Sequence, residues 1–166
     1  MTNVVAGAIN KVDRTIGEKV VNEAAQKQTP LDTALKWAPF ALLIGYDALR
    51  VKARSSCRQH IAQMFVAQVL LNAAVRPVKK AINRTRPNGR GNSFPSAHTA
   101  TAFVASEIIR RELRENSVAL QYSGYALALP TAWLRLYRKK HWPSDVLAGA
   151  LAGYFFGRLA GRRIGE

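Results

Sequence analysis

The chain has 166 residues and a formal net charge of +15, from 25 Lys and Arg against 10 Asp and Glu. That is enough chain for one domain with a core. The basic balance narrows the partners to nucleic acid, an anionic membrane surface or a phosphorylated substrate. The single cysteine, Cys57, excludes an intramolecular disulfide framework and leaves no cysteine cluster for zinc. Without a partner it reads as an unreactive thiol beside a basic loop.

Residues 4–24 place Val5, Ile9, Val12, Ile16 and Val20 at steps of three or four, with Lys11, Asp13, Arg14 and Glu18 between them. This pattern predicts an amphipathic helix too charged to span a bilayer, packed on the domain or lying in the membrane interface. Packing on the domain is the favoured of the two. The N-terminus lacks the layout of a signal peptide, so insertion into a membrane is expected to use internal segments. Gln28, Thr29 and Pro30 end this element, and Asp32 or Thr33 is placed to cap the next.

Five apolar stretches follow: Trp37 to Tyr46, Ile61 to Val75, Ala97 to Ser106, Val118 to Leu134 and Val146 to Phe156. Most are shorter than the ~20 apolar residues that cross a bilayer outright, but short spans extend into flanking polar residues or tilt. The fold expected is all-α: a membrane-embedded bundle of about five apolar helices plus the N-terminal amphipathic helix. Charge placement agrees. Alternate spanning puts Arg50, Lys52, Arg54 and Arg58 on one face with Arg110, Arg111, Arg114, Arg158, Arg162 and Arg163, the cytoplasmic side by the positive-inside rule. The other face collects Trp37, Trp133, Tyr137 and Trp142, as an aromatic belt does. Gly149, Gly153, Gly157 and Gly161 form one stripe of the last helix, echoed by Gly124, Ala128 and Ala132, and predict close helix packing.

Three clusters on that second face carry chemistry: Lys79, Arg86 and Pro87; Pro95, Ser96, Ala97 and His98; and Arg135, His141 and Asp145. Arginine holds phosphate oxygens through a planar fork, and lysine as a point charge. Pro95 precedes a helix start, so the backbone N–H of Ala97 and its neighbours form an anion site, to which Ser96 adds a hydroxyl. Pro143 suits the first position of the last helix. At four residues' spacing Asp145 can hold one nitrogen of His141, freeing the other for attack on phosphorus. His98, charged beside a phosphate, can protonate the leaving oxygen. Each cluster alone reads more readily as a solvated basic loop, a capped histidine or a helix-end pair. Their joint occurrence, in this order and on one face, favours phosphate chemistry.

The patterns K-x6-R-P, P-S-A-H and R-x5-H-x3-D resemble the signature of the type 2 phosphatidic acid phosphatase superfamily, which includes lipid phosphate phosphatases, bacterial acid phosphatases and vanadium haloperoxidases. The resemblance spans residues 79–145, and the flanking helical segments fit the family's bundle. Ala97 stands where the family has glycine, and Leu134 where it has serine, which removes one accessory hydrogen bond. The resemblance implies that Lys79, Arg86, Ser96, the Ala97 N–H and Arg135 bind phosphate. It makes His98 the general acid, His141 the nucleophile and Asp145 its orienting partner, with no metal or other cofactor. His60 matches no motif position and reads as a helix-start residue. Residues 37–166 become the phosphatase domain, and 1–36 the N-terminal helix and linker.

The function implied is metal-independent hydrolysis of a lipid phosphate or diphosphate through a phosphohistidine. The substrate class includes phosphatidic acid, phosphatidylglycerophosphate and polyprenyl phosphates. The setting implied is a multi-pass protein of the bacterial inner membrane with its site on the periplasmic or extracellular side. The partners are the lipid substrate and the membrane, not nucleic acid, with a homo-oligomer left open. The alternatives are a vanadate-dependent haloperoxidase, for which the chain is short, and a non-enzymatic basic protein that binds membrane or nucleic acid by charge, for which no continuous basic stripe exists.

Overall fold

Every apolar stretch becomes a helix longer than its apolar part, because helix ends extend until a cap satisfies the terminal backbone groups. The computed structural model describes residues 9–16 and 30–161. Among them it is all-α: five helices follow the helical stretch 9–16. They are α1 (Pro30–Ala48), α2 (Cys57–Ile82), α3 (Ala97–Glu112), α4 (Val118–Tyr137) and α5 (Pro143–Ala160).

Local chemistry sets the boundaries. α1 begins at Pro30 itself, ahead of the expected caps Asp32 and Thr33, because the fixed φ and missing N–H of proline suit a first helical position. The 36/37 division therefore falls inside α1. Ser56 starts α2, and its backbone N–H donates to Gln59 Oε1 at 2.8 Å. Asn83 ends α2 in the left-handed conformation (φ 40°), which asparagine tolerates better than most residues. Ser96 caps α3 and Ser117 caps α4, each accepting from the backbone three residues on. Such caps contribute about 1 kcal/mol each.

α3 is the central element, packed most heavily by α5 and α4 and also by α1 and α2. Val104, Ala105, Ile108 and Ile109 of α3 are fully buried with Leu43 of α1 and Met64, Ala67, Leu71 and Val75 of α2. The glycine stripe brings α5 onto α3 in parallel, with Gly149, Gly153 and Gly157 lying on the backbone of Ser96, Ala100 and Val104. A Cβ at Gly157 would sit 2.7 Å from the Val104 carbonyl oxygen, so only glycine permits this approach. Gly124 of α4 packs in the same way against Ser106 of α3.

The turns segregate to two ends, as the charge pattern predicts. At one end Arg54 N–H donates to Glu112 O (3.1 Å), Asn116 Nδ2 to Lys52 O (2.7 Å) and Arg111 Nε to Gly161 O (3.2 Å). At the other, Ser96 N–H donates to Asp145 O at 2.9 Å and Trp142 Nε1 to Thr85 O at 2.8 Å. Arg162, Arg163, Val5, Val20, Glu18, Gln28 and Thr29 lie outside the described residues. The stretch 9–16 packs on the domain at this second end, but by a polar contact rather than its apolar stripe. Asp13 is buried while Ile9, Val12 and Ile16 stay exposed.

His60 starts α2, as expected, but it also closes a buried cluster at the first end. Its Nδ1 lies 2.9 Å from Asp47 Oδ2 of α1 and its Nε2 lies 3.3 Å from Glu112 Oε2 of α3. Ser55 and Gln63 donate to the other Glu112 oxygen at 3.1 and 2.8 Å.

Candidate active site

The three sequence clusters meet at the second end because three turns fold onto one another. The first leaves α2 after Lys79 and doubles back, with Gly89 N–H donating to Arg86 O (3.0 Å) and Ser93 N–H to Arg84 O (2.8 Å). Gly89 takes φ 82°, a left-handed conformation for which glycine is suited. Lys79 Nζ donates to the carbonyls of Asn92 (2.9 Å) and Ser93 (3.3 Å), tying the returning strand of the loop to the helix it left.

The R-x5-H spacing follows from the end of α4. The chain turns at Lys139 (φ 52°), and the N–H groups of Lys140 and His141 both donate to the Arg135 carbonyl, at 3.0 and 3.2 Å. The H-x3-D spacing follows from the start of α5. Pro143 is its first residue, as expected, and Asp145 Oδ2 accepts from Trp142 N–H at 2.8 Å, capping the helix. One carboxylate thus closes a helix end and stands beside His141.

Lys79, Arg86, Ala97, His98, Arg135 and His141 line one cavity of about 190 Å³, with Arg90 and Lys140 at its wall. All six were expected there. Two expected residues stand behind the wall instead. Ser96 is fully buried as the α3 cap, its hydroxyl 2.9 Å from Thr99 Oγ1. Its oxygen accepts from the Thr99 N–H and so caps α3. Asp145 is likewise buried, with Oδ2 3.7 Å from His141 Nδ1. That distance is an electrostatic contact, longer than a hydrogen bond.

Burial lowers the pKa of His141; the Asp145 carboxylate opposes this, and the Lys79 and Arg86 cations add to the lowering. The ring is therefore held neutral, the form with a nucleophilic nitrogen. Arg86 is pushed down by burial and by Arg90, with Asp145 opposing. Its Nε is buried without a hydrogen-bond partner among the described residues, a donor suited to an anion.

The PAP2 superfamily model matches residues 60–164. The chain belongs to the PAP2 superfamily. Lipid A 1-phosphatase of Porphyromonas gingivalis is 31% identical over 150 residues, covering 89% of this chain and 34% of the relative. The chain thus spans about a third of that curated relative's length. The crystal structure of Aquifex aeolicus LpxE is similar with a TM-score of 0.61 and 22% identity, covering 90% of this chain and 92% of that one. A transmembrane PAP2-type phosphatidylglycerolphosphate phosphatase from Bacillus subtilis gives 0.66 and 19%, covering 92% and 84%. At these identities the two structures establish likeness of fold.

The PAP2 site also holds residues that no motif singled out. Ser93 Oγ donates to Asp145 Oδ2, and Arg84 Nη1 donates to Asp145 Oδ1 at 2.8 Å. Arg84 lies within the first cluster's stretch but at no position of the three patterns. Its partners are distant in sequence, so spacing carried no signal. Lys36 of α1 lies within electrostatic range of His98 and Arg135. Its level is set where Thr131 Oγ1, one turn before Arg135, donates to Leu35 O at 3.1 Å. Among the described residues no group of three or more His, Cys, Asp or Glu is placed to hold a metal ion.

Proposed function

We propose that this PAP2 chain is an integral-membrane phosphatase that hydrolyses a lipid phosphate or diphosphate through a phosphohistidine at His141. The observation that carries the reading is the cavity itself. Two histidines from different elements share it with Lys79, Arg86 and Arg135, at one end of a helical bundle. Lys79, Arg86, Arg135 and the Ala97 N–H hold the phosphate oxygens. His141 attacks with Nε2, forming the N–P bond as the bond from phosphorus to the lipid oxygen breaks. His98 gives its proton to that oxygen. His98 then takes a proton from water, whose oxygen attacks phosphorus, releasing phosphate and His141. Asp145 stabilises the positive charge that develops on the His141 ring, and the contact shortens as that charge forms.

The bundle's sides support a membrane setting. Phe65 of α2, Leu129 of α4 and Leu147 of α5 are exposed at 70%, 59% and 62%, each among further exposed apolar residues of its helix. Among the described residues only α2 is long and apolar enough to cross a membrane by length and composition. The helices α1, α4 and α5 are about 27–30 Å long, near the hydrocarbon thickness, and α3 is enclosed by the others. We place the site on the periplasmic or extracellular side of the inner membrane and the Arg50–Arg58 end in the cytoplasm. The candidate substrates are phosphatidic acid, phosphatidylglycerophosphate and polyprenyl phosphates, to which the name of the Porphyromonas gingivalis relative adds lipid A 1-phosphate.

Phosphate release by detergent-purified protein across those lipids tests the activity. Release that survives EDTA and is inhibited by vanadate is expected. No release from any lipid, or a loss with EDTA reversed by a divalent ion, would overturn the reading. A tag in the Asn88–Asn92 loop should be accessible from outside, and one near Arg54 only from inside.

A further inference from the structure

Behind the catalytic pair lies a chain of charges that the reaction as written does not use. Arg84 stands between two buried carboxylates, with Nη1 2.8 Å from Asp145 Oδ1 and Nη2 2.6 Å from Asp13 Oδ2. Asp13 is 2% exposed, and belongs to the helical stretch 9–16. It also accepts from Ser144 twice, from N–H to Oδ1 at 2.9 Å and from Oγ to Oδ2 at 2.6 Å. Arg84 Nη1 reaches the same Ser144 Oγ at 2.6 Å, and Nη2 approaches Asn10 Oδ1 at 3.3 Å. The guanidinium lies 5.6 Å from the Trp142 ring centroid. A short N-terminal element is thus bonded to the residue beside Asp145 and, through Arg84, to Asp145 itself.

We propose that Asp13 is a positioning residue for the catalytic pair, acting through Arg84 and Ser144 to keep Asp145 effective toward His141. The proposal rests on the phosphohistidine reading above. Arg84 beside Asp145 alone would cancel its charge, and the carboxylate would then give little support to a ring that becomes positive. Asp13 on the far side of the guanidinium returns the three groups to a net charge of −1. Its second effect is geometric. Ser144 lies between His141 and Asp145 in the chain, and bonds to Asp13 fix the first turn of α5 where Asp145 caps it. An exposed ion pair has little worth, but these carboxylates are shielded from water, so each lost partner leaves a charge unbalanced.

Balance makes the proposal testable by sign. Removing the negative charge of Asp13 lowers the pKa of His141, and removing the positive charge of Arg84 raises it. The other groups facing His141 are Lys79 of α2, Arg86 and Arg90 of the first loop, His98 of α3, Arg135 of α4 and Lys140 of its own turn. All stay unchanged in the variants.

The test compares the full chain with Asp13→Asn, Arg84→Gln, the double variant and Asp13→Glu, using a short-chain phosphatidic acid in detergent. Asp13→Asn should lower kcat about tenfold, the lower end of what loss of a supporting partner costs, with KM nearly unchanged. Its acid limb in kcat/KM should move to lower pH, and that of Arg84→Gln to higher pH, each by about half a unit to one unit. The double variant should return close to the wild-type limb, and Asp13→Glu should regain most of kcat. Limbs that stay put, or move the same way in both single variants, would overturn the proposal. So would a loss that only follows the amount of folded protein. NMR titration of the His141 ring in the same proteins reads the opposite shifts without turnover. It therefore judges this proposal even if wild type releases no phosphate, a result that would count against the function alone.

Discussion

Two histidine–carboxylate clusters occupy opposite ends of the bundle, and they differ in what faces the imidazole. His60 is wholly buried, with a carboxylate near each ring nitrogen, Asp47 at 2.9 Å and Glu112 at 3.3 Å. It joins α1, α2 and α3 and offers no nitrogen to a ligand. His141 has one carboxylate, at 3.7 Å from Nδ1, and faces a cavity with Lys79, Arg86, His98 and Arg135. An imidazole beside a carboxylate is therefore no mark of catalysis by itself. A cationic cavity on the ring's other side makes the difference.

The largest effect should come from breaking the reactive end directly. His141→Ala should abolish both turnover and acid-labile phosphoenzyme, and phosphoenzyme trapped in that variant would move the nucleophile elsewhere. In the wild type, kcat/KM should fall on the acid side as His141 gains a proton. The inflection should lie below the usual imidazole value, because burial lowers this pKa. An inflection above that value would contradict the neutral ring.

His98→Ala should separate substrates. Loss of a general acid commonly costs about 10²–10⁴-fold, so a lipid alkoxide leaving group should suffer by that order while an activated aryl phosphate suffers little. Equal losses on both would remove His98 from the acid role.

His60→Ala sharpens the contrast from the other end. It leaves Asp47 and Glu112 without the group between them, and breaking a buried pair costs about 3–5 kcal/mol. Thermal unfolding in detergent should begin at lower temperature, while kcat of the protein still folded stays at the wild-type value. A lowered kcat with unchanged unfolding would show that the two ends communicate.

Gly153→Ala tests the packing that joins the two ends. Its Cβ would meet the Ala100 carbonyl oxygen, and Phe103 Cβ at 2.6 Å, so α5 would have to move off α3. Thermal unfolding in detergent should begin at lower temperature than in the wild type, and an unchanged onset would show that the helices tolerate a wider spacing.

What the sequence made legible follows from distance along the chain. The helices were visible as apolar runs and the glycine stripe as a spacing of four. The R-x5-H and H-x3-D spacings encode local geometry: the Arg135 carbonyl holding His141 and the cap formed by Asp145. Arg84, Asp13 and the partners of His60 were not legible, because 71 residues separate Asp13 from Arg84 and 13 separate Asp47 from His60. Ser96 shows the converse. Its motif position was plain, but the same oxygen serves the α3 cap, and spacing cannot say which need prevails.

The parallel packing of α3 on α5 has an electrostatic consequence. Aligned peptide groups give a helix about half a positive charge at its N-terminus and half a negative charge at its C-terminus. Both helices start at the cavity, Ala97 in its wall and Pro143 just behind it, so their positive ends converge there. The helices that finish at the same end, α2 and α4, carry Lys79, Lys80 and Arg135 in their last turns, which offset the negative ends. Part of the positive field at the cavity therefore belongs to the backbone and does not depend on Lys79, Arg86 or Arg135. A charge-removing change such as Lys79→Met should weaken inhibition by vanadate without eliminating it.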